Sequence, residues 1–257
     1  LSLQAIHIPV QAPAEFIDRY DGVFDAGWDV MREERWQRTM DLGLVPETTT
    51  LAPVHEDHRA WDDLTPEEQA VAAREMQVNA GMIEAADFHI GRLLDHLEAT
   101  GQLENTIVIV TSDNGPDSAR TSLGSPMADL LLDGIHLLEG IDTSPENMGL
   151  PGSLTAIGPE WASVSASPFN LYKFYSSEGG LRVPLVVAGP GVAERGPLDA
   201  PVHVADLMPT LLDAAGVAHD ASSLYGKSIL PVLTGEADET RSPEESFGVE
   251  VSGNAAL

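Results

Sequence analysis

Cysteine is absent from these 257 residues, which removes disulfides, thiolate metal sites and any cysteine nucleophile from the chain. Basic residues are scarce. Only 13 Lys and Arg stand against 41 Asp and Glu, a formal net charge of −28. That balance argues against a nucleic-acid partner, because phosphate binding calls for a basic face. It also repels anionic substrates at long range unless a metal and a few cations reverse the field locally. No apolar run approaches the roughly 20 residues that cross a bilayer. An initiating Met, a signal peptide and internal repeats are missing too. The sequence opens at Leu1-Ser2-Leu3 and closes at Ala255-Ala256-Leu257, and it reads as an internal fragment whose compartment and oligomeric state stay open.

What is present suits a globular α/β protein. The 43% apolar content is ordinary, and a chain of this length typically buries roughly 70–75% of its unfolded surface. The most informative segment runs from Ile107 to Gly115. Ile107-Val108-Ile109-Val110 is apolar and mostly β-branched, which predicts a buried central strand. It runs into Ser112-Asp113-Asn114-Gly115, at the carboxyl end of a strand, where open α/β sheets gather ligands. Asp113 beside Asn114 supplies two hard oxygen donors of the kind Ca²⁺ or Mg²⁺ prefers. Read alone, the same residues also make an ordinary Asn-Gly turn.

Around that strand the pattern alternates. Leu1 to Ile8 predicts a strand ending at His7-Ile8-Pro9, since Pro is poorly tolerated inside a sheet. Thr65-Pro66-Glu67-Glu68 opens a long helix with Thr65 as N-cap and Glu68 as its capping-box partner. Its apolar stripe is expected through Val71, Met82, Ile83, Ile90, Leu93, Leu94 and Leu97, with Gly101 ending it. Leu181 to Ala188 predicts a further strand. Strand, helix and strand in this order imply a mixed, mostly parallel central sheet flanked by helices. Residues 1–257 are expected to form one incomplete catalytic domain. Within it, residues 116–170 form a long lid-like insertion with one amphipathic stretch around Met127–Leu138, and residues 235–257 form an acidic tail.

Three segments taken together carry a resemblance. Leu3 to Pro13 holds His7, Asp113-Asn114-Gly115 follows the central strand, and Leu171-Tyr172-Lys173 to Pro184 holds a Lys before the next strand. Phe24-Asp25-Ala26-Gly27-Trp28, Ile90-Gly91-Arg92-Leu93-Leu94 and the stretch from His203 to Leu212 join them. This ordered set resembles the sulfatase family of the alkaline phosphatase superfamily, in particular its bacterial arylsulfatases, over nearly the whole chain.

The resemblance implies an alkaline phosphatase-like α/β fold and hydrolysis of alkyl or aryl sulfate esters, small molecules, through a Ca²⁺-assisted formylglycine. Asp113 and Asn114 match the family's metal ligands, usually for Ca²⁺, with Mg²⁺ as the alternative. Asp113 would also handle the proton of the hydrated nucleophile. His7 matches the His that bonds the sulfate and ester oxygens and protonates the leaving group, and Lys173 matches the Lys on a sulfate oxygen. Glu178-Gly179-Gly180 and Arg182 serve backbone support beneath that Lys. The physics is coherent, because sulfuryl transfer, like phosphoryl transfer, rests on positioning and on neutralising charge at equatorial oxygens.

Outside the resemblance each residue has a plainer reading: His7 as a strand-end His, Lys173 as a surface Lys lying along Tyr172 and Phe174. Asp206 and His203 read as helix capping, and His55 with His58 as a solvated pair. The family's Cys/Ser-x-Pro-x-Arg nucleophile motif and its paired N-terminal Asp residues do not occur here, and a small C-terminal subdomain is expected beyond residue 257. The nucleophile is therefore expected upstream, and this piece alone is expected to be inactive. Two other readings stay open: a phosphonate or phosphodiester hydrolase of the same superfamily, and a non-catalytic acidic binding protein that keeps the fold. Substrate choice is assigned to residues 116–170, with Trp161 as an aromatic platform.

Overall fold

A computed structural model describes residues 1–121, 126–242, 244–246, 248–251 and 253–256. They divide into two compact units. The first comprises Leu1–Asp95 and Asn114–Arg182, the second His96–Asp113 and Val183–Leu257.

The first unit is helical: α1 (Ala14–Ile17), α2 (Gly27–Asp41), α3 (Pro66–Ala99, its last turn entering the second unit), α4 (Pro126–Glu139), α5 (Gly158–Ala166) and the single turn α6 (Glu178–Leu181). The start of α3 is built as its sequence requires. Glu68 N–H donates to Thr65 Oγ1 at 3.2 Å, and Thr65 N–H donates to Glu68 Oε2 at 2.8 Å. This reciprocal capping box satisfies two donors that the first turn leaves unpaired.

The predicted large-residue stripe of α3 is only partly buried. Met82 packs against the cluster of Ile17 and Val78, and Ile90, Leu94 and Leu97 are half-buried, but Val71, Ile83 and Leu93 are exposed. The fully buried positions are mostly small, among them Ala72, Ala73, Val78, Gly81 and Ala85. The reason is close approach. A Cβ at Gly81 would lie 2.8 Å from the Ile17 Cα, so small residues are what allow α1 to seat against α3. Gln77 Nε2 then donates to the Ile17 carbonyl at 2.9 Å.

Aromatics make up only 5% of the chain, and the core concentrates them. Trp28, Trp61 and Trp161 pack edge to face with centroids 4.8–5.9 Å apart, and Phe24 meets Trp161 at 5.7 Å. Edge-to-face pairing suits the ring quadrupoles. Trp161 is 0% exposed, and its indole N–H donates to the Ala72 carbonyl at 2.8 Å. That corrects its assignment as a substrate platform: an aromatic-poor chain places this indole at the centre of the core. Gly27, at the head of α2, has φ +80° and lies so close beneath the Trp61 ring that any Cβ there would overlap it.

In the second unit β1 (Val108–Thr111) pairs with β2 (Leu185–Ala188), Val108 opposite Ala188 and Thr111 opposite Leu185. The pairing is antiparallel, which corrects the expectation of parallel pairing for these strands. Because Thr111 faces Leu185, the excursion between them leaves and re-enters at the same end of the sheet. A parallel partner would need a crossover to the opposite end. β1 is also less buried than its composition implies, with Val110 42% exposed. Leu1–Ile8 forms turns, not a strand, and His7 N–H closes one on the Gln4 carbonyl at 2.7 Å. A strand needs a ladder partner, and among the described residues no sheet includes this segment.

The second unit continues through α7 (Leu207–Ala214), α8 (Leu230–Thr234) and a hairpin of β3 (Val249–Val251) with β4 (Asn254–Ala256). Asp206 before α7 is fully buried. It accepts the His203 and Lys227 amides at 2.8 Å and both Arg241 Nη atoms at 2.6 Å. Burial opposes its ionisation, but Arg241 and the two amides more than offset that and hold its pKa below the usual carboxylate range. Its role is helix-start capping and ion pairing, with Arg241 drawn from the acidic tail. Among the described residues no helix is long and apolar enough to cross a membrane.

Truncating the central indole tests this core. Trp161→Ala is expected to cost about 3–5 kcal/mol in urea unfolding. A loss below about 1 kcal/mol would mean that the aromatic cluster does not hold the first unit together.

Candidate functional site

Lys173 is placed by its backbone. Its N–H donates to the Pro116 carbonyl at 3.0 Å, and Gly115 N–H donates to the Gly180 carbonyl at 2.9 Å. Two segments far apart in sequence are thereby laid side by side. Three glycines permit the approach: a Cβ at Gly115, Gly179 or Gly180 would overlap the carbonyl oxygen of Gly179, Leu171 or Tyr175 respectively. Leu171 and Phe174, on either side of Tyr172-Lys173, have φ +59° and +75°. Positive φ in residues with bulky side chains costs of order 1–3 kcal/mol and persists only where the surroundings impose it.

The result brings together three side chains. Lys173 Nζ lies 2.7 Å from Asp117 Oδ2 and 3.4 Å from His7 Nε2. Asp117 Oδ1 accepts the Ala119 amide at 2.9 Å. His7 Nδ1 is 2.8 Å from the Ile8 carbonyl. A carbonyl only accepts, so Nδ1 is assigned the proton and Nε2 presents its lone pair to the Lys173 ammonium. The Lys173 and Asp117 side chains are 15% and 19% exposed, while His7 is exposed. Burial opposes ionisation of Asp117, yet the hydrogen bonds from the Lys173 ammonium and the Ala119 amide, with the charge of Lys173, hold its pKa below the usual range. Beside Asp117 a small cleft is lined by Ile6, Ile8, Val10, Ala156 and Ile157.

A second polar group lies beside Tyr172, the residue before Lys173. His58 stacks on Tyr172 with centroids 6.1 Å apart, and its Nε2 is 3.5 Å from the Tyr172 hydroxyl. It is half-buried, and desolvation lowers its pKa despite the opposing pull of Glu160. The solvated reading of this His is thus corrected. Arg120 Nη2 bonds both oxygens of Glu160, at 2.8 and 3.1 Å. Partly buried Glu75 completes the group. Desolvation pushes its carboxyl up to about 8, with Glu160 adding to the rise and Arg120 opposing it.

Of the expected metal ligands, Asp113 is exposed and belongs to the second unit, and Asn114 is half-buried in the first. Their oxygens are of the hard kind that suits Ca²⁺, but the ion takes six to eight. Among the described residues no group of three or more His, Asp or Glu side chains is placed to hold a cation. The two residues therefore fit part of a coordination shell by donor type.

A sequence model of the Sulfatase family matches residues 1–217. The chain is 37% identical over 238 residues to an uncharacterized sulfatase of Schizosaccharomyces pombe, covering 90% of this chain and 41% of that protein. It is 34% identical over 235 residues to an arylsulfatase of Klebsiella aerogenes, covering 91% of this chain and 49% of that one. The chain belongs to the sulfatase family. It spans less than half the length of these two relatives. Among solved structures, a phosphonate monoester hydrolase from Silicibacter pomeroyi aligns with 95% of this sulfatase chain and 38% of its own, at 22% identity and a TM-score of 0.49.

In this sulfatase chain the residues singled out from the sequence, His7 and Lys173, meet, and Asp117 joins them unforeseen. Its local signal was visible: an Asp after Gly115-Pro116 accepting the amide two residues on is an Asx turn. Its partnership with a Lys 56 residues away carries no local signal. Chemically, an ammonium, an imidazole lone pair and a fixed carboxylate make a small polar face able to orient an anion and exchange a proton.

Glu75 gives this polar group a pH signature. Its folded pKa of about 8 lies above the unfolded value of about 4.3, so the folded chain holds the extra proton between these values. Stability attributable to Glu75 is therefore present at low pH and falls as pH rises from about 4.3 to about 8. Glu75→Gln is expected to flatten that decline in urea unfolding measured across the window. An identical decline in the variant would show that Glu75 is already ionised at neutral pH.

Proposed function

We propose that this chain supplies one side of a site that hydrolyses alkyl or aryl sulfate esters to an alcohol or phenol and sulfate. What supports the reading is one observation: His7 and Lys173, 166 residues apart, meet at 3.4 Å in a chain of the sulfatase family. In this reading Lys173 binds a sulfate oxygen through an N–H. His7, its ring oriented by the Nδ1–H bond to Ile8 O, first takes up a second proton at Nε2 and, as the imidazolium, delivers it to the departing ester oxygen. Asp113 and Asn114 supply oxygen ligands to Ca²⁺, with Mg²⁺ as the alternative. When bound, the ion supplies positive charge beside the sulfate oxygens. Asp113 also takes part in moving the proton of the nucleophile.

The nucleophile of this reading is a formylglycine carried outside these 257 residues. The antiparallel β1–β2 pair is proposed as an edge of the larger, mostly parallel sheet that the family implies, an arrangement common in mixed sheets.

Two assays test the proposal. The purified 257-residue chain is expected to release no 4-nitrophenol from 4-nitrophenyl sulfate with or without added Ca²⁺, and turnover would refute the divided site. In a protein that carries the nucleophile as well, His7→Ala and Lys173→Ala are each expected to lower kcat/KM by roughly 10²–10³-fold while the fold persists by circular dichroism. Undiminished rates in both variants would remove these residues from the chemistry.

A further inference from the structure

The ammonium proposed to bind sulfate already carries an anion of its own. Asp117 Oδ2 is 2.7 Å from Lys173 Nζ, and Asp117 is tethered a second time through Oδ1 to the Ala119 amide at 2.9 Å. A carboxylate held at both oxygens does not swing aside when a ligand arrives. Lys173 has three N–H donors. One points to Asp117 and a second to His7 Nε2 at 3.4 Å, which leaves one for a ligand. The neighbouring cation is committed as well, since Arg120 lies on both oxygens of Glu160 at 2.8 and 3.1 Å. With His7 neutral, Lys173 is balanced by Asp117 and Arg120 by Glu160.

We propose that Asp117 is a positioning residue that sets the charge preference of the site: it holds Lys173 toward His7 and makes this face accept monoanionic esters ahead of dianionic ones. The proposal rests on the reading of Lys173 as the anion-binding group. A sulfate ester, R–O–SO₃⁻, brings one negative charge to a Lys shared with a fixed carboxylate. A phosphate monoester above its second pKa of about 6 brings two. The additional charge meets Asp117 a few ångströms away in a site only partly open to water, where one unit charge changes affinity by about tenfold or more. Asp117 thus separates two anions of nearly the same shape, which a pocket wall alone does poorly. The small cleft beside Asp117, lined by Ile6, Ile8, Ile157 and the uncharged Asn79, offers no further cation to offset the repulsion.

Calorimetric titration of the 257-residue chain with methyl sulfate and with methyl phosphate, at about pH 8, tests this. Wild-type chain is expected to bind methyl sulfate more tightly. Asp117→Asn keeps the shape and an acceptor for the Ala119 amide. It is expected to strengthen both ligands and to shift the sulfate-to-phosphate affinity ratio toward phosphate by about tenfold. Asp117→Glu, restoring the charge, is expected to return most of the preference, and Lys173→Ala to abolish binding of both. A purely structural Asp117 would weaken both ligands together without moving the ratio.

Lys173-dependent binding with an unchanged ratio in Asp117→Asn overturns the role of Asp117 and leaves the reading of Lys173 standing. Wild-type chain that binds methyl phosphate at least as tightly as methyl sulfate overturns that role without any variant. Binding indifferent to Lys173→Ala, or absent from wild type and Asp117→Asn alike, overturns the anion site and the charge preference together.

Discussion

Two backbone hydrogen bonds, Lys173 N–H to Pro116 O and Gly115 N–H to Gly180 O, hold the arrangement on which the candidate site depends. They join the turn after Asn114 to the loop that carries Lys173, and three glycines without side chains let the two lie in contact. The turn is pinned again at its far end, where Gly158 N–H donates to the Ala119 carbonyl at 2.9 Å. Gly158 opens α5, and α5 is fixed by the buried Trp161. A mechanical path therefore runs from the aromatic core through α5 and Ala119 to Asp117 and on to the Lys173 ammonium. Positive φ at Leu171 and Phe174 is strain of order 1–3 kcal/mol per residue, which this doubly anchored contact can impose and an isolated loop could not.

Features fixed by neighbouring residues were legible in the sequence. The capping box at Thr65 and Glu68 depends on a three-residue spacing, and the β-branched run before Thr111 depends on composition. The Gly179-Gly180 pair advertised a crowded backbone near Lys173. Properties that depend on distant partners were not legible. Strand direction in β1–β2 follows from where the chain re-enters the sheet, which no periodicity encodes. Leu1–Ile8 has strand composition and yet forms turns, because composition alone cannot supply a ladder. The fully buried positions of α3 escaped detection since the rule that large apolar residues mark the core fails where helices approach at alanine and glycine. Asp117 went unnoticed for a related reason: its charge partner is far along the chain, and only its Asx turn is local.

Charge is the thread that connects the fold to the site. A chain with 13 basic and 41 acidic residues has few cations to place, and those described in detail are tied to carboxylates. Arg241 is held by Asp206, Arg120 by Glu160, Arg59 by Glu68 and Lys173 by Asp117. The exposed Arg59–Glu68 pair contributes little to stability, whereas the shielded Arg241–Asp206 and Lys173–Asp117 pairs cannot lose one partner without leaving a desolvated charge. Three of the scarce cations, Arg241, Arg120 and Lys173, thus serve shielded carboxylates.

The same accounting decides how so acidic a chain can hold an anion at all. At physiological ionic strength the field of a surface charge decays over about 8 Å, so most of the net charge of −28 is screened before it reaches a shielded ammonium. What a ligand meets at Lys173 is set by the groups within a few ångströms, and there the balance is neutral: one cation, one tethered carboxylate and an imidazole whose protonated nitrogen faces away. Net charge governs the approach of an anion, through rate and salt dependence. The pairing of Lys173 with Asp117 governs which anion stays.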